Sequence, residues 1–339
     1  MPRMKILNTV EQEAFDTPPV FNSDQRKRFF DFSIKIRHLT SNLRTPINRL
    51  CFLLSCGYFK ASKRFFSART FHSRDIRYVA QHEAIPLDDV DIDSYSRQSQ
   101  HRHQQRILNF YGFRAFDQKA RDFIVQEAET MARSQLKPRL IFWRCVDLLI
   151  REKSQTPSYF RLSELILMAI NKHKKQLNTV IKRMLPSYLR ASLDGLFDQS
   201  TTFEGVPISS KTAAYKLTLL KKMSQSTRPS KVKERVTDLA LLKGLCESLK
   251  TIFHALKLNQ EGIRYNATGV IKSEIFQMVR RVDEDRYLHI IAFIAYQYYR
   301  LQDNLVDVLL TSVQSYQKSA QAYQARIQSA RDIRARKNF

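Results

Sequence analysis

Glycine occupies only 7 of 339 positions, about 2% against a usual share of roughly 7%. It is the residue that most readily makes tight left-handed turns. A chain so short of it cannot close many hairpins, and it is driven toward long helices with few connections. The 10 prolines then act as punctuation. The extreme case is the stretch 283–339, which holds neither Gly nor Pro. The helical pattern expected over 283–313 can therefore continue through the tail SYQKSAQAYQARIQSARDIRARKNF. Hydrophobic residues make up 43%, enough to bury a core, and 339 residues suffice for two or three domains at roughly 100–200 residues each.

Local signals place the first elements. The opening twenty residues read as a short arm ending at Pro18-Pro19. Asn22 with Gln25 three residues on forms a capping box, and Phe29, Phe32, Ile36 and Leu39 follow at helical spacing. Thr45-Pro46 starts a helix carrying Ile47, Leu50, Leu53 and Leu54, expected to stop near Gly57. Ser73 caps another helix running to His82. Short helices with tight basic turns predict a helix-turn-helix bundle.

The polar, acidic segment 86–99 reads as a linker. A second helical group starts near His101, with further starts at Asp117, Pro138 and Ser158. Gly112 is expected to end one helix so that Phe113 enters the core. Gly195 and 198–207 mark the next boundary, and SQSTRPSK (224–231) reads as a loop. Long helices are expected over 231–258, 266–281 and 283–313. The fold class is therefore all-α: helical bundles over 1–85, 101–200 and 208–339, a linker at 86–100, and a long C-terminal helix.

Charge decides the class of partner. The formal net charge is +25 and the pI near 10.0, which points to a polyanion: nucleic acid or an acidic membrane surface. Residues 26–77 hold 13 Lys/Arg against 2 Asp/Glu, 172–190 hold 6 with no acid, and 211–233 hold 7 with no acid. Each zone falls in a different helical group, a spacing that suits modules strung along one duplex. Arg also has the planar fork that reads guanine edges. No apolar run approaches the roughly 20 residues that span a bilayer, and MPRMKILNTVEQEAFD lacks a signal-peptide core, so a cytoplasmic, nucleoid-associated protein is expected, with no membrane partner.

Enzymatic signals are missing. No P-loop, GxSxG, HExxH or kinase-like string occurs. Asp89, Asp91 and Asp93 imitate the spacing of a calcium loop, but Ser94 and Gln100 stand where Gly and Glu are needed. His101 and His103 have no further ligands at metal spacing. Cys51, Cys56, Cys145 and Cys246 form no CxxC pair and read as reduced core residues. No metal or other cofactor is expected in this chain.

Several strings are specific enough to carry a resemblance: MPRMKILNTVEQEAFDTPPVFNSDQRKRFF, RTPINRLCFLLSCGYFKASKRFF, RHQQRILNFYGFRAF, SQSTRPSKVKERVTDLALLK and DRYLHIIAFIAYQYYRLQDNLVDVLL. Across nearly its whole length the chain resembles the N-terminal part of Tn-three-type (class II, replicative) bacterial transposases. The resemblance implies helical domains that recognise the transposon's terminal inverted repeats in double-stranded DNA. It also implies an RNase H-like region with an Asp-Asp-Glu triad binding Mg²⁺, whose residues lie beyond Phe339, so this chain by itself is not expected to be an enzyme. By matching position the DNA-contact role falls on Arg44, Arg49, Lys60, Lys63 and Arg64, then on Arg97, Arg102, His103 and Arg106, then on Arg228, Lys231 and Lys233. Lys174 and Lys175 join them from the second basic zone. Tyr287, Tyr296, Tyr298, Tyr299 and Arg300 read as scaffold. A natural truncation, a regulator and an excised fragment all stay open, with the basic tail favouring truncation. Other functions stay open as well: a protein–protein assembly module, in which the long helices after Lys231, aliphatic over 290–310, supply the contact of a homodimer or with the intact transposase; an inhibitor that occupies the transposon ends in competition with the intact enzyme; and a non-specific RNA or membrane-surface binder.

Overall fold

The computed structural model describes residues 5–86, 91–198, 202–203, 206–207, 215–222 and 226–337. The fold is all-α, with sixteen α-helices among the described residues. The one strand pairing there is a two-residue antiparallel ladder, Thr202–Phe203 with Val206–Pro207. The chain divides into two compact units, Met1–His173 and Lys174–Phe339, where three groups were expected.

The first unit is built round α4 (Pro46–Ser62), capped by the Thr45 side chain with Pro46 in the first turn. Every residue from Leu50 to Phe59 is buried, an apolar coat on all sides that only a central helix can carry. Around it pack α2 (Ser23–Phe30), α3 (Ile34–Ser41), α5 (Ser73–His82) and α6 (Arg97–Tyr111). The Asn22–Gln25 capping box forms as expected. Gly57 does not end α4. A Cβ there would lie 2.2 Å from the Phe30 ring, so glycine is present to let α2 press against α4, and the helix runs one and a half turns further.

Gly112 is the helix end it was expected to be. It sits at φ +67° as the cap of α6, and Phe113 folds back edge-on to Phe59 at 5.3 Å.

A second core in this unit joins α7 (Gln118–Arg133), α8 (Pro138–Arg151) and the first half of α9 (Tyr159–Met184). The expected N-terminal arm belongs to it. The segment folds as α1 (Thr9–Asp16), closed by an Asn8–Glu11 capping box, and buries Ile6, Leu7 and Phe15.

The expected linker is also part of the fold. Residues 87–90 lie outside the described residues, but Ile92 and Tyr95 pack on the α4 core, as do Ile107 and Leu108 of α6. Those contacts place α6 with the first core, so the expected break before His101 is not found. The two cores are tied by backbone pairing of Arg114 with Ser154 and by the Thr156 amide donating to the Lys63 carbonyl at 3.2 Å.

The second unit takes in the end of α9 and α10 (Ser187–Asp194), which the sequence places in the preceding group. Leu177, Ile181, Leu189 and Leu193 are buried with residues of α16 (Asp283–Lys337), and that shared core moves the boundary to 173/174. Helices α11 (Lys216–Lys221), α12 (Pro229–Ser248), α13 (Lys250–Leu256), α14 (Gln260–Ile271) and α15 (Ile275–Val279) complete it. The helix expected over 231–258 breaks at Leu249, and that expected over 266–281 divides between α14 and α15. The expected continuation into the tail is found: α16 spans 55 residues. Its first part is the spine of the unit, with Leu288, Ile290, Ile291, Phe293 and Ile294 fully buried. The aliphatic stretch suggested as an assembly surface is thus spent on the unit's own core up to Ala295. Tyr287, Tyr296 and Tyr298 pack there as scaffold, whereas Tyr299 is 62% exposed and Arg300 is exposed too.

Among the described residues, no helix is long and apolar enough to cross a membrane.

Candidate nucleic-acid interface

The cations of the first unit sort into two groups with different chemistry. One group is internal. Arg64 is 6% exposed. Its guanidinium lies 3.6 Å from the Phe15 ring centroid and donates to Asp16 at 2.8 Å. Asp16 in turn accepts the Tyr159 amide at 3.0 Å, so this pair locks α1 onto both cores. The expected DNA contact at Arg64 is therefore corrected to an internal tie. Burial lowers its pKa, opposed by Asp16.

Lys63 is the left-handed cap of α4 at φ 58°. Its Nζ donates to the Lys60 carbonyl at 2.8 Å and lies 5.8 Å from the Phe113 ring centroid. Lys60 Nζ donates to the Arg28 carbonyl at the end of α2, at 2.7 Å. Both lysines complete helix C-termini, where free carbonyls and the dipole favour a cation. Arg49 is half-buried. An α4 this enclosed cannot itself enter a groove.

His103 is likewise internal, at 4% exposure. It shares a 2.8 Å hydrogen bond with the Tyr95 hydroxyl and meets Phe52 edge-on. Burial first, then Arg106 and Arg102, push its pKa down to about 4. In the second unit burial likewise pushes His289 down to about 4.

Both histidines are neutral when folded and free to take a proton, at an ordinary pKa near 6.5, when unfolded. Their contribution is full above about pH 6.5 and is lost as the pH falls toward 4. The urea midpoint is expected to drop between pH 7.5 and pH 5.5, before most carboxylates titrate. An unchanged midpoint would contradict these placements.

The second group of cations faces outward. Arg44, Arg74, Arg77, Arg97, Arg102 and Arg106 are all exposed, and none has a carboxylate partner among the described residues. Helix packing explains the arrangement. On α5, Asp75, Val79 and Ala80 turn inward, which leaves Arg74 and Arg77 outside. On α6, Ser99, His103, Ile107 and Leu108 turn inward, which leaves Arg102 and Arg106 one turn apart on the outer face. Both helices pack on α4. Arg69 is exposed as well, paired with Asp93 at 2.8 Å.

Arg74 and Arg77 were visible in the first basic zone but outrank Arg64 and Lys63 only once burial is known. Asp75 gave no sequence signal beyond sitting in a first helical turn. It is 1% exposed and accepts from Arg26 and from the Tyr58 hydroxyl, both at 2.7 Å. This clamp holds the start of α5 against α4.

In the second unit, Lys174 is half-buried and paired with Asp285 at 2.6 Å, while Lys175 is exposed. Arg228 is exposed just before α12 and Lys233 on its first turns, while Lys231 pairs with Glu234 at 2.7 Å. No group of three His, Cys, Asp or Glu is placed to hold a metal ion among the described residues. Cys51, Cys56 and Cys145 are buried and Cys246 half-buried, all free. Burial pushes the Cys51 and Cys145 thiols up to about 12.

A family model described as a domain of unknown function, DUF4158, matches residues 6–169, close to the whole first unit. No curated protein matches the chain.

Proposed function

We propose that this chain is the DNA-binding N-terminal part of a Tn-three-type transposase and recognises the terminal inverted repeats of its transposon. The observation that carries the reading is the set of exposed arginines on the outer sides of α5 and α6, none with a carboxylate partner among the described residues. An ordinary solvated face mixes both signs, whereas a phosphate-binding face does not. The matched domain of unknown function is one commonly found at the N-terminus of Tn-three-family transposases, in keeping with the sequence strings. The helix-turn-helix expectation enters only within this reading, with α6 rather than the enclosed α4 as the helix offered to the duplex. Arg44, Arg97, Lys175, Arg228 and Lys233 keep their proposed contact roles, while Arg64 and His103 do not. The chain grips DNA in a bacterial cytoplasm, and neither strand transfer nor its Mg²⁺ is assigned to these residues.

The direct test is the double variant Arg102→Glu/Arg106→Glu, assayed by equilibrium binding to duplex DNA. Its affinity is expected to fall about tenfold or more, with the helix content of the wild type retained. Wild-type affinity in the folded variant would remove α6 from the interface.

A further inference from the structure

The far end of α16 carries an apolar seam that the fold leaves uncovered. Leu301 and Val308 are buried, and Leu305 packs on the second unit's core. Beyond Ser312 every residue whose side chain is described is exposed. Yet the face about a quarter-turn round from the buried one is not polar. Val306, Leu309, Val313, Tyr316, Ala320, Tyr323, Ile327 and Ala330 recur at alternating steps of three and four. Of these, Val306 is 55% exposed, Leu309 63%, Tyr316 78% and Tyr323 66%. A repeat of 3.5 residues drifts off the 3.6-residue period of a straight helix. It stays in contact only with another helix wound about it, which is the signature of a coiled coil. Three and a half such heptads span about 37 Å at 1.5 Å per residue.

Charge and size choose the partner. In a parallel pair, Arg326 would face Arg331 of the other strand on both sides, and like charges at these flanking positions repel. In an antiparallel pair with the two seams fully overlapped, Leu309 meets Ile327, Val313 meets Tyr323, and Tyr316 meets Ala320. Large faces small at the centre. Asp303, which flanks the seam at its start, then comes opposite Arg331 at its end, and symmetry forms that pair twice. The seam is complementary to itself reversed.

We propose that the segment 303–331 of α16 docks on the same segment of a second copy as an antiparallel coiled coil, making the protein a dimer. This does not rest on the DNA-binding reading. It also places the self-association surface in the outer third of the helix rather than in the buried aliphatic stretch near Ile290.

The test is sedimentation equilibrium of the full chain with charge-swapped variants. Wild type is expected to be dimeric at micromolar concentration. Asp303→Arg sets Arg against Arg331 twice and is expected to weaken the dimer about tenfold or more. The double variant Asp303→Arg/Arg331→Asp is expected to restore it. These side chains are exposed, so the folded core is not at stake. A wild-type monomer at the highest soluble concentration, a dimer indifferent to Asp303→Arg, or a double variant that fails to recover would each overturn the proposal.

Discussion

Replacing Asp75 with alanine is expected to destabilise the first unit by about 3–5 kcal/mol, the range for removing one partner of a buried, hydrogen-bonded pair. The carboxylate is 1% exposed. Its loss leaves the Arg26 guanidinium, whose side chain is 16% exposed, with the Phe21 carbonyl but no carboxylate, and it strands the hydroxyl of Tyr58, which is fully buried. Tyr58 has little else to turn to. Burial, then the hydrogen bond from its hydroxyl to Asp75, raises its pKa far above the ordinary value, so it stays a donor that needs an acceptor. An unmet buried donor costs about 1–3 kcal/mol. Asp75→Asn, which keeps one acceptor, should lose less. Urea unfolding followed through Trp143, the chain's one tryptophan, measures both, since Trp143 lies beside Phe142 and Phe15 of the same unit. A loss below about 1 kcal/mol for the alanine variant would mean the clamp contributes little.

Affinity for duplex DNA is expected to collapse with salt. Counterion release gives a slope of about −0.9 per phosphate neutralised, so engagement of roughly 6–10 phosphates predicts a fall of about 10³–10⁵ between 50 and 200 mM salt. The six outward arginines on the first unit, with Lys175, Arg228 and Lys233 on the second, are enough cations for that number. The internal group is not counted, because Arg64, Lys60 and Lys63 already hold protein acceptors. The double variant Arg102→Glu/Arg106→Glu should also flatten the slope by about two. Binding that ignores salt would mean the basic zones are not a phosphate grip.

Much of this arrangement was legible in the sequence. Scarce glycine with spaced proline gave the all-α class, caps at Asn22, Thr45 and Asp117 stand where side-chain chemistry put them, and Pro138 opens its helix as the first residue. These are local effects, set within four residues. What was not legible is long-range. Gly57 reads as a stop, and only the Phe30 ring across the interface shows it to be a packing notch. Asn8 and Glu11 form a capping box, yet the segment reads as an arm until Ile6 and Leu7 are seen to be buried.

The same limit governed the candidate site. Lysines and arginines at 60–64 look equal to those at 97–106 in a one-dimensional charge count. Fold alone separates an arginine stacked on Phe15 from one on the outer face of α6. The seam on α16 was readable in principle from its three-and-four spacing. Its meaning needed the structure, because the helix's first part uses similar residues to fill its own core.

The central claim is recognition of transposon ends, and one measurement tests it most directly: equilibrium binding of the full chain to a duplex carrying the element's terminal inverted repeat and to a scrambled duplex of equal length, each at 50 and 200 mM salt. The expected result is a preference for the repeat of about a hundredfold or more that persists at the higher salt while both affinities fall, since base contacts add specificity beyond the phosphate term. Equal binding to the two duplexes at both salts would contradict end recognition.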